Sequence, residues 1–242
     1  MCSHLSLNQK PQVIAERYRL QSWQKIKELL PVYHNNAYNY QVWPVITGIE
    51  PDALQLMHWG LIPSWARSNL QADELKKNTI NARIESIFEK PSFEDAARRR
   101  HCLIPATGYF EWQDIKGKKY PYFIYLKSGE VFSMAGIWDT WTDHDTGATK
   151  DTFSILTTEA NPLMARIHNL KQRMPVILTE ETENDWLTGG FDATSIQAFM
   201  KPFDAHKMDA YTIGRHITEK NSDTPAVLKP YTYPEFMQTS LF

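Results

Sequence analysis

The chain opens Met1-Cys2. Removal of Met1 would leave Cys2 with an amine and a thiol on adjacent carbons, a 1,2-aminothiol. In water these groups titrate at about 7.7–8.0 and about 8.5, so a useful fraction of each is nucleophilic at neutral pH. Such a pair traps aldehydes: the amine forms a Schiff base, and the sulfur closes it into a five-membered thiazolidine. A cysteine at position 2 can equally be a bystander, so the reading depends on which other groups the fold brings to it.

Three further positions could supply them. Glu111 stands between Gly108-Tyr109-Phe110 and Trp112, in a run whose neighbours are large and aromatic. Strand alternation could put it on a wet face. In a cleft, desolvation makes a carboxyl hold its proton to higher pH, which suits a general acid or base near neutrality. Asn81 and Arg83 are two apart and share a face if extended, either in a turn network or as ligand contacts. His168 follows the apolar Leu163, Met164 and Ile167, as a core histidine or as a catalyst. The chain has 8 His and 2 Cys, Cys2 and Cys102; without His-Glu-x-x-His or a close Cys pair, no metal site is expected. Basic clusters at 98–100 and 116–119, with Lys171 and Arg173 near His168, read as solvated faces. They would become a phosphate track if aromatics such as Trp65 lay beside them.

These residues must be positioned by a strand-rich scaffold. Apolar spacing predicts a helix over 11–30, ended by Pro31, then an irregular polar stretch over 33–40. Strands follow at 42–47 and 53–59, a loop at 60–65, and a helical piece near 73–77. A helix over 93–99 has Ser92 as N-cap and Asp95 as its capping-box partner. Aromatic runs at 102–112, 120–126, 131–138 and 152–157, separated by short turns, imply an antiparallel meander. Helical turns at 161–167, a buried strand at 174–178, helices at 179–187 and 195–200, and a strand at 211–217 complete the pattern. Residues 221–242 form a wrap or tail.

With 242 residues and 14 Pro against 10 Gly, the composition suits one strand-and-turn domain. A net charge of -2 argues against a surface that is basic throughout, though a local basic groove fits. No apolar run reaches the roughly 18 residues of a membrane span. Two cysteines and no signal-peptide pattern point to a reducing, cytoplasmic setting.

In order, Met1-Cys2, then Ile80-Asn81-Ala82-Arg83-Ile84-Glu85, then Gly108-Tyr109-Phe110-Glu111-Trp112, then Ile167-His168-Asn169 with Arg173-Met174-Pro175-Val176-Ile177-Leu178, resemble the SOS response-associated peptidase family. Its members are also called abasic-site processing or HMCES/YedK-like proteins, and Phe132 to Trp138 resembles them too. The resemblance implies binding of single-stranded DNA at an abasic site, whose ring-opened form is an aldehyde, and its capture by Cys2 as a thiazolidine. It implies that Glu111 shuttles protons, that Asn81 holds the sugar or the terminus, and that His168 sits at the 3′ phosphate and assists ring opening or lyase-type scission. Arg83, Thr157 and Arg173 match DNA-contact positions; Pro44 and Trp65 match apolar surface against splayed bases. The family's peptidase name implies removal of what precedes Cys2. The chain departs from the pattern at Ser3-His4, where members commonly have Gly-Arg, the Arg meeting phosphate. It is also longer between Asn169 and Arg173, and Ala66 stands where many relatives have a second Trp.

The expected protein is one α+β domain over 1–242, with a strongly bent, mainly antiparallel sheet or open barrel flanked by helices. It would act as a monomer on abasic single-stranded DNA, without metal, cofactor or membrane. Two rival readings are a cysteine peptidase using Cys2 with His168 and a noncovalent single-stranded DNA-binding module.

Overall fold

The computed structural model describes residues 2–23 and 31–237. In chain order its elements are β1 (His4–Leu7), α1 (Pro11–Tyr18), β2 (Val32–Asn36), β3 (Val42–Thr47), β4 (Gln55–Trp59), α2 (Asn69–Asn78), β5 (Asn81–Arg83) and α3 (Glu94–Arg99). There follow β6 (His101–Ala106), β7 (Gly108–Ile115), β8 (Lys118–Leu126), β9 (Phe132–Thr142), β10 (Thr149–Glu159), α4 (Pro162–Ile167), β11 (Arg173–Pro175), β12 (Ile177–Leu178), α5 (Glu180–Thr188), β13 (Met208–Thr212) and α6 (Pro234–Met237).

The strands build two units. β10 pairs with β4 on one side and β9 on the other, so β10-β4-β3-β6-β9 closes into a five-stranded barrel, with β5, β11 and β12 attached. The expected bent sheet is therefore closed. Its pairings are antiparallel except β10 with β4 and with β5, which are parallel. The second unit is an antiparallel sheet in the order β13-β8-β7-β1-β2. One apolar core runs through both, from Leu5 and Ile124 to Ile46, Leu103 and Ile155. Its fully buried tryptophans tie elements together because a buried indole N–H needs an acceptor: Trp43 donates to the Pro105 carbonyl at 3.0 Å and Trp59 to that of Ile80 at 2.9 Å.

The run expected at 102–112 is two strands. At Thr107 the chain leaves the barrel for the sheet, its N–H caught by the Ser6 carbonyl at 2.8 Å. Gly108 permits the crossing, since a Cβ there would lie 2.3 Å from the Phe123 ring and 2.7 Å from the Ile124 carbonyl. The strand expected at 174–178 is likewise divided: β11 pairs with β10 and β12 with β9, and Val176 bridges them.

Local signals fail where tertiary partners decide. The 33–40 stretch is not irregular throughout; β2 forms because β1 pairs with it and the Asp223 carboxylate accepts the N–H groups of Tyr33 and His34. The first helix stops at Tyr18, with Arg19 in the left-handed region (φ 53°); residues 24–30 of that expectation lie outside those described. α3 starts at Glu94 after Phe93, and the Ser92 capping box does not form. The strand expected at 211–217 begins earlier, where β13 pairs with β8, and gives way to a 3₁₀ turn over Arg215–Thr218. The C-terminal stretch is a wrap as far as residue 237: Val227 packs on Phe110, Phe123, Ile213 and Ile217.

Candidate active site at the amino terminus

The terminus lies where barrel and sheet meet. β1 is held between β2 and β7, with Leu5 opposite Tyr109 and Ser6 opposite Gly108, which brings Cys2 beside the Gly108–Trp112 run. β5 lies along β10 on the barrel, Asn81 opposite Ile155, and its first residue reaches across: Asn81 Nδ2 donates to the Cys2 carbonyl at 2.7 Å. Cys2 is 1% exposed.

Glu111 lies on β7, 5% exposed, so the wet-face alternative does not hold. Its Oε2 is 3.8 Å from His168 Nε2. His168 ends α4, whose Asn161 caps the Met164 N–H at 2.9 Å. Because His168 Nδ1 is 2.9 Å from the Arg173 carbonyl, Nδ1 carries the proton and Nε2 faces the carboxylate. Asn169 locks the same turn onto β7: its Oδ1 accepts from Asp114 N at 3.0 Å, and its Nδ2 donates to Asp114 O at 2.7 Å.

Burial, then the charge of Glu111, push the Cys2 thiol well above its ordinary value; the His4 N–H opposes them. Burial likewise lowers His168, with Glu111 acting the other way. The resting pair is a neutral thiol and a neutral imidazole. The sulfur is therefore less acidic than the exposed thiol expected from sequence, and its nucleophilicity requires proton removal on demand.

Ser3, His4, Glu111, His168 and Lys171 line a cleft of about 340 Å³. A larger cavity, about 710 Å³, lies under the C-terminal wrap beside Arg215 and Tyr233, apart from these groups. Position 4 offers no cation: His4 Nδ1 is 2.7 Å from His34 Nε2, and burial pushes His4 down to about 3 and His34 down to about 4. His34 Nδ1 continues the chain to Ser222 Oγ at 2.6 Å.

The structure thus gathers Cys2, Asn81, Glu111 and His168, while the expected DNA contacts divide. Arg83 is exposed at the end of β5, and Trp65 is 40% exposed, its indole donating to the Pro91 carbonyl at 3.2 Å. Pro44 is buried in β3 opposite Leu56. Thr157 is fully buried. Arg173 turns inward, forking the Glu85 carboxylate at 2.6 and 2.9 Å and donating to the Thr157 carbonyl at 2.6 Å. These three are engaged in internal packing and hydrogen bonding. Among the described residues, no three His, Cys, Asp or Glu side chains are grouped to hold a metal, and no helix is long and apolar enough to cross a membrane. Residue type alone did not single out Tyr109, Asn169 or the His34–Ser222 pair, because their significance lies in what the fold sets beside them.

Residues 1–220 match the model of the family described as SOS response associated peptidase (SRAP). The chain is 33% identical over 233 residues to abasic site processing protein YoqW of Bacillus subtilis (strain 168), covering 96% of this chain and 100% of that one. It is 30% identical over 202 residues to abasic site processing protein HMCES of Pongo abelii, covering 72% of this chain and 56% of that one. The crystal structure of a protein from Bacteroides thetaiotaomicron superposes with a TM-score of 0.90 at 43% identity, covering 96% of this chain and 100% of that one. Matched over most of its length in sequence and in fold, the chain belongs to the SOS response associated peptidase family.

Proposed function

We propose that this protein processes abasic sites in single-stranded DNA by crosslinking itself to them through Cys2. The observation that carries the reading is the convergence of Asn81, Glu111 and His168 on the chain's second residue, with the Asn81 amide 2.7 Å from the Cys2 carbonyl. Cleavage of the Met1–Cys2 bond, the step to which the peptidase name would apply, releases the amine. Asn81 then fixes the backbone of Cys2, so amine and sulfur approach one carbon together.

The sugar ring opens by proton transfer, for which Glu111 and the neutral Nε2 of His168 are the available partners. The amine adds to the aldehyde carbon, and the carbinolamine loses water as Glu111 supplies a proton, giving the imine. The Cys2 sulfur adds to the same carbon, its proton leaving to Glu111 and a proton reaching nitrogen. The product is a thiazolidine, and one water is released overall. Closure removes the C=N bond that would otherwise acidify the neighbouring sugar carbon and allow His168-assisted loss of the 3′ phosphate. Lyase activity is thus the branch that closure suppresses. Every step is an addition, an elimination or a proton transfer, and needs no redox cofactor. Arg83, Lys119 and Lys171 offer phosphate contacts, and Trp65 a stacking face.

A cysteine peptidase built on Cys2 and His168 would need a thiolate beside an imidazolium. Burial moves both groups the opposite way here, so the crosslinking reading is favoured. The test is incubation of Met1-processed protein with an abasic oligonucleotide. A denaturation-resistant adduct that disappears in Cys2→Ala supports the reading; absence of the adduct, or its persistence in that variant, rejects it. A noncovalent binder would instead retain intact and abasic strands alike.

A further inference from the structure

Two buried polar atoms of the site have no hydrogen-bond partner among the described residues: Asn81 Oδ1 and the Tyr109 hydroxyl. Asn81 already uses its amide on the Cys2 carbonyl, so its second atom is left for a ligand. Tyr109 is the stranger case. It is fully buried, and a buried hydroxyl stripped of water without a partner is a cost that phenylalanine would avoid. Groups left in this way in a well-packed interior call for a reason, such as a role in chemistry or a ligand that completes them.

Its location gives the reason. Tyr109 lies on β7 two residues before Glu111, so both side chains leave the same face of the strand. It sits opposite Leu5, three residues after Cys2. The charges of Cys2 and Glu111 both bear on its phenol, which together with burial keeps the hydroxyl protonated throughout the neutral range. A permanently protonated donor therefore shares the buried cluster of the nucleophile and lies within electrostatic reach of the group that receives its proton. The neutral Cys2 thiol needs such help, because negative charge must build on a desolvated sulfur as its proton departs.

We propose that Tyr109 is a hydrogen-bond donor for the ring-closing step, its hydroxyl supporting the Cys2 sulfur while the S–H proton passes to Glu111 and the S–C bond forms. Tyr109 keeps its own proton throughout. The S–H bond breaks and the S–C bond forms; the π electrons of the imine move to nitrogen, which takes up a proton from Glu111. Imine and thiazolidine contain the same atoms, so nothing else enters or leaves. Tyr109 serves the second half of the reaction and not the first.

This role rests on the crosslinking function proposed above, and the experiment separates the two. With Met1-processed protein and an abasic oligonucleotide, two species are followed: the spontaneous denaturation-resistant adduct, and the imine trapped by borohydride. In Tyr109→Phe the spontaneous adduct is expected to form about tenfold more slowly, with imine trapping unchanged. The melting temperature should stay equal or rise, since the substitution removes an unpartnered buried hydroxyl. A spontaneous rate equal to wild type overturns the role. So does a parallel loss of both species with a lowered melting temperature, which would make Tyr109 a packing residue. Wild-type protein that yields neither species overturns the function and this role with it; wild-type protein that yields both, beside an unimpaired variant, overturns only the role.

Discussion

Replacing Glu111 by Gln keeps the side-chain shape and removes the charge and the proton acceptor. Two effects on Cys2 oppose one another. The Glu111 carboxylate raises the thiol's proton affinity, so its loss eases ionisation; burial is the larger cause of the raised value, and it remains. The sulfur of the variant is therefore still a thiol at neutral pH, now without its acceptor, and the loss of acid–base catalysis decides the outcome. Such catalysis contributes about 10²–10⁴-fold, so Glu111→Gln should slow crosslinking by at least about 10²-fold. Stability should change by less than about 1 kcal/mol, because the amide relieves a carboxylate that is only 5% exposed. The assay is the initial rate of adduct formation on denaturing gels, beside the affinity for abasic DNA measured with Cys2→Ala and with the Cys2→Ala, Glu111→Gln double variant, so that binding is read without covalent capture. A rate within a few-fold of wild type, or an equal loss of affinity and rate, would refute the assignment.

Three further outcomes follow. Asn81→Ala removes the 2.7 Å hydrogen bond to the Cys2 carbonyl; such a bond is worth about 0.5–1.5 kcal/mol, so adduct formation should slow by about two- to tenfold in the same gel assay. Arg173→Ala breaks an internal fork with Glu85, whose side chain is 36% exposed and so partly screened; a loss of about 2–3 kcal/mol is expected, seen as a lower melting temperature with DNA affinity of the folded fraction unchanged. His4 and His34 stay neutral in the folded protein to about 3 and about 4, whereas in the unfolded chain they protonate near 6.5. The unfolded state therefore binds more protons between about 6.5 and about 4, so their contribution to stability is complete above about 6.5 and is lost as pH falls. Melting temperatures across that range should drop less steeply in His4→Gln than in wild type.

The members of the candidate site were legible where a single residue type suggests a role. Cys2, Asn81, Glu111 and His168 stand in separate motifs, and the fold needed only to bring them together. The aromatic runs were legible as strands, and short turns account for the antiparallel pairs β7–β8 and β9–β10; the division of those runs between two sheets and the parallel β10–β4 contact that closes the barrel were not. What was hidden depends on partners remote in sequence. Nothing local tells that Asp223 will accept from Tyr33 and His34 and so admit a polar strand, or that Thr107 marks a change of sheet. Arg173 illustrates the same limit at the site: its type suits a phosphate or a carboxylate equally, and only the fold brings Glu85 within its fork. Cys2 carries a likewise hidden property, since only burial by its neighbours turns a moderately acidic thiol into a neutral one.

Covalent capture at Cys2 is open to intact-mass spectrometry. After incubation with an abasic oligonucleotide, a species is expected at the mass of the Met1-processed protein plus the oligonucleotide minus one water, with the modification mapped to the peptide that begins at Cys2 and absent in Cys2→Ala. No such species, or one mapped to another residue, would contradict it.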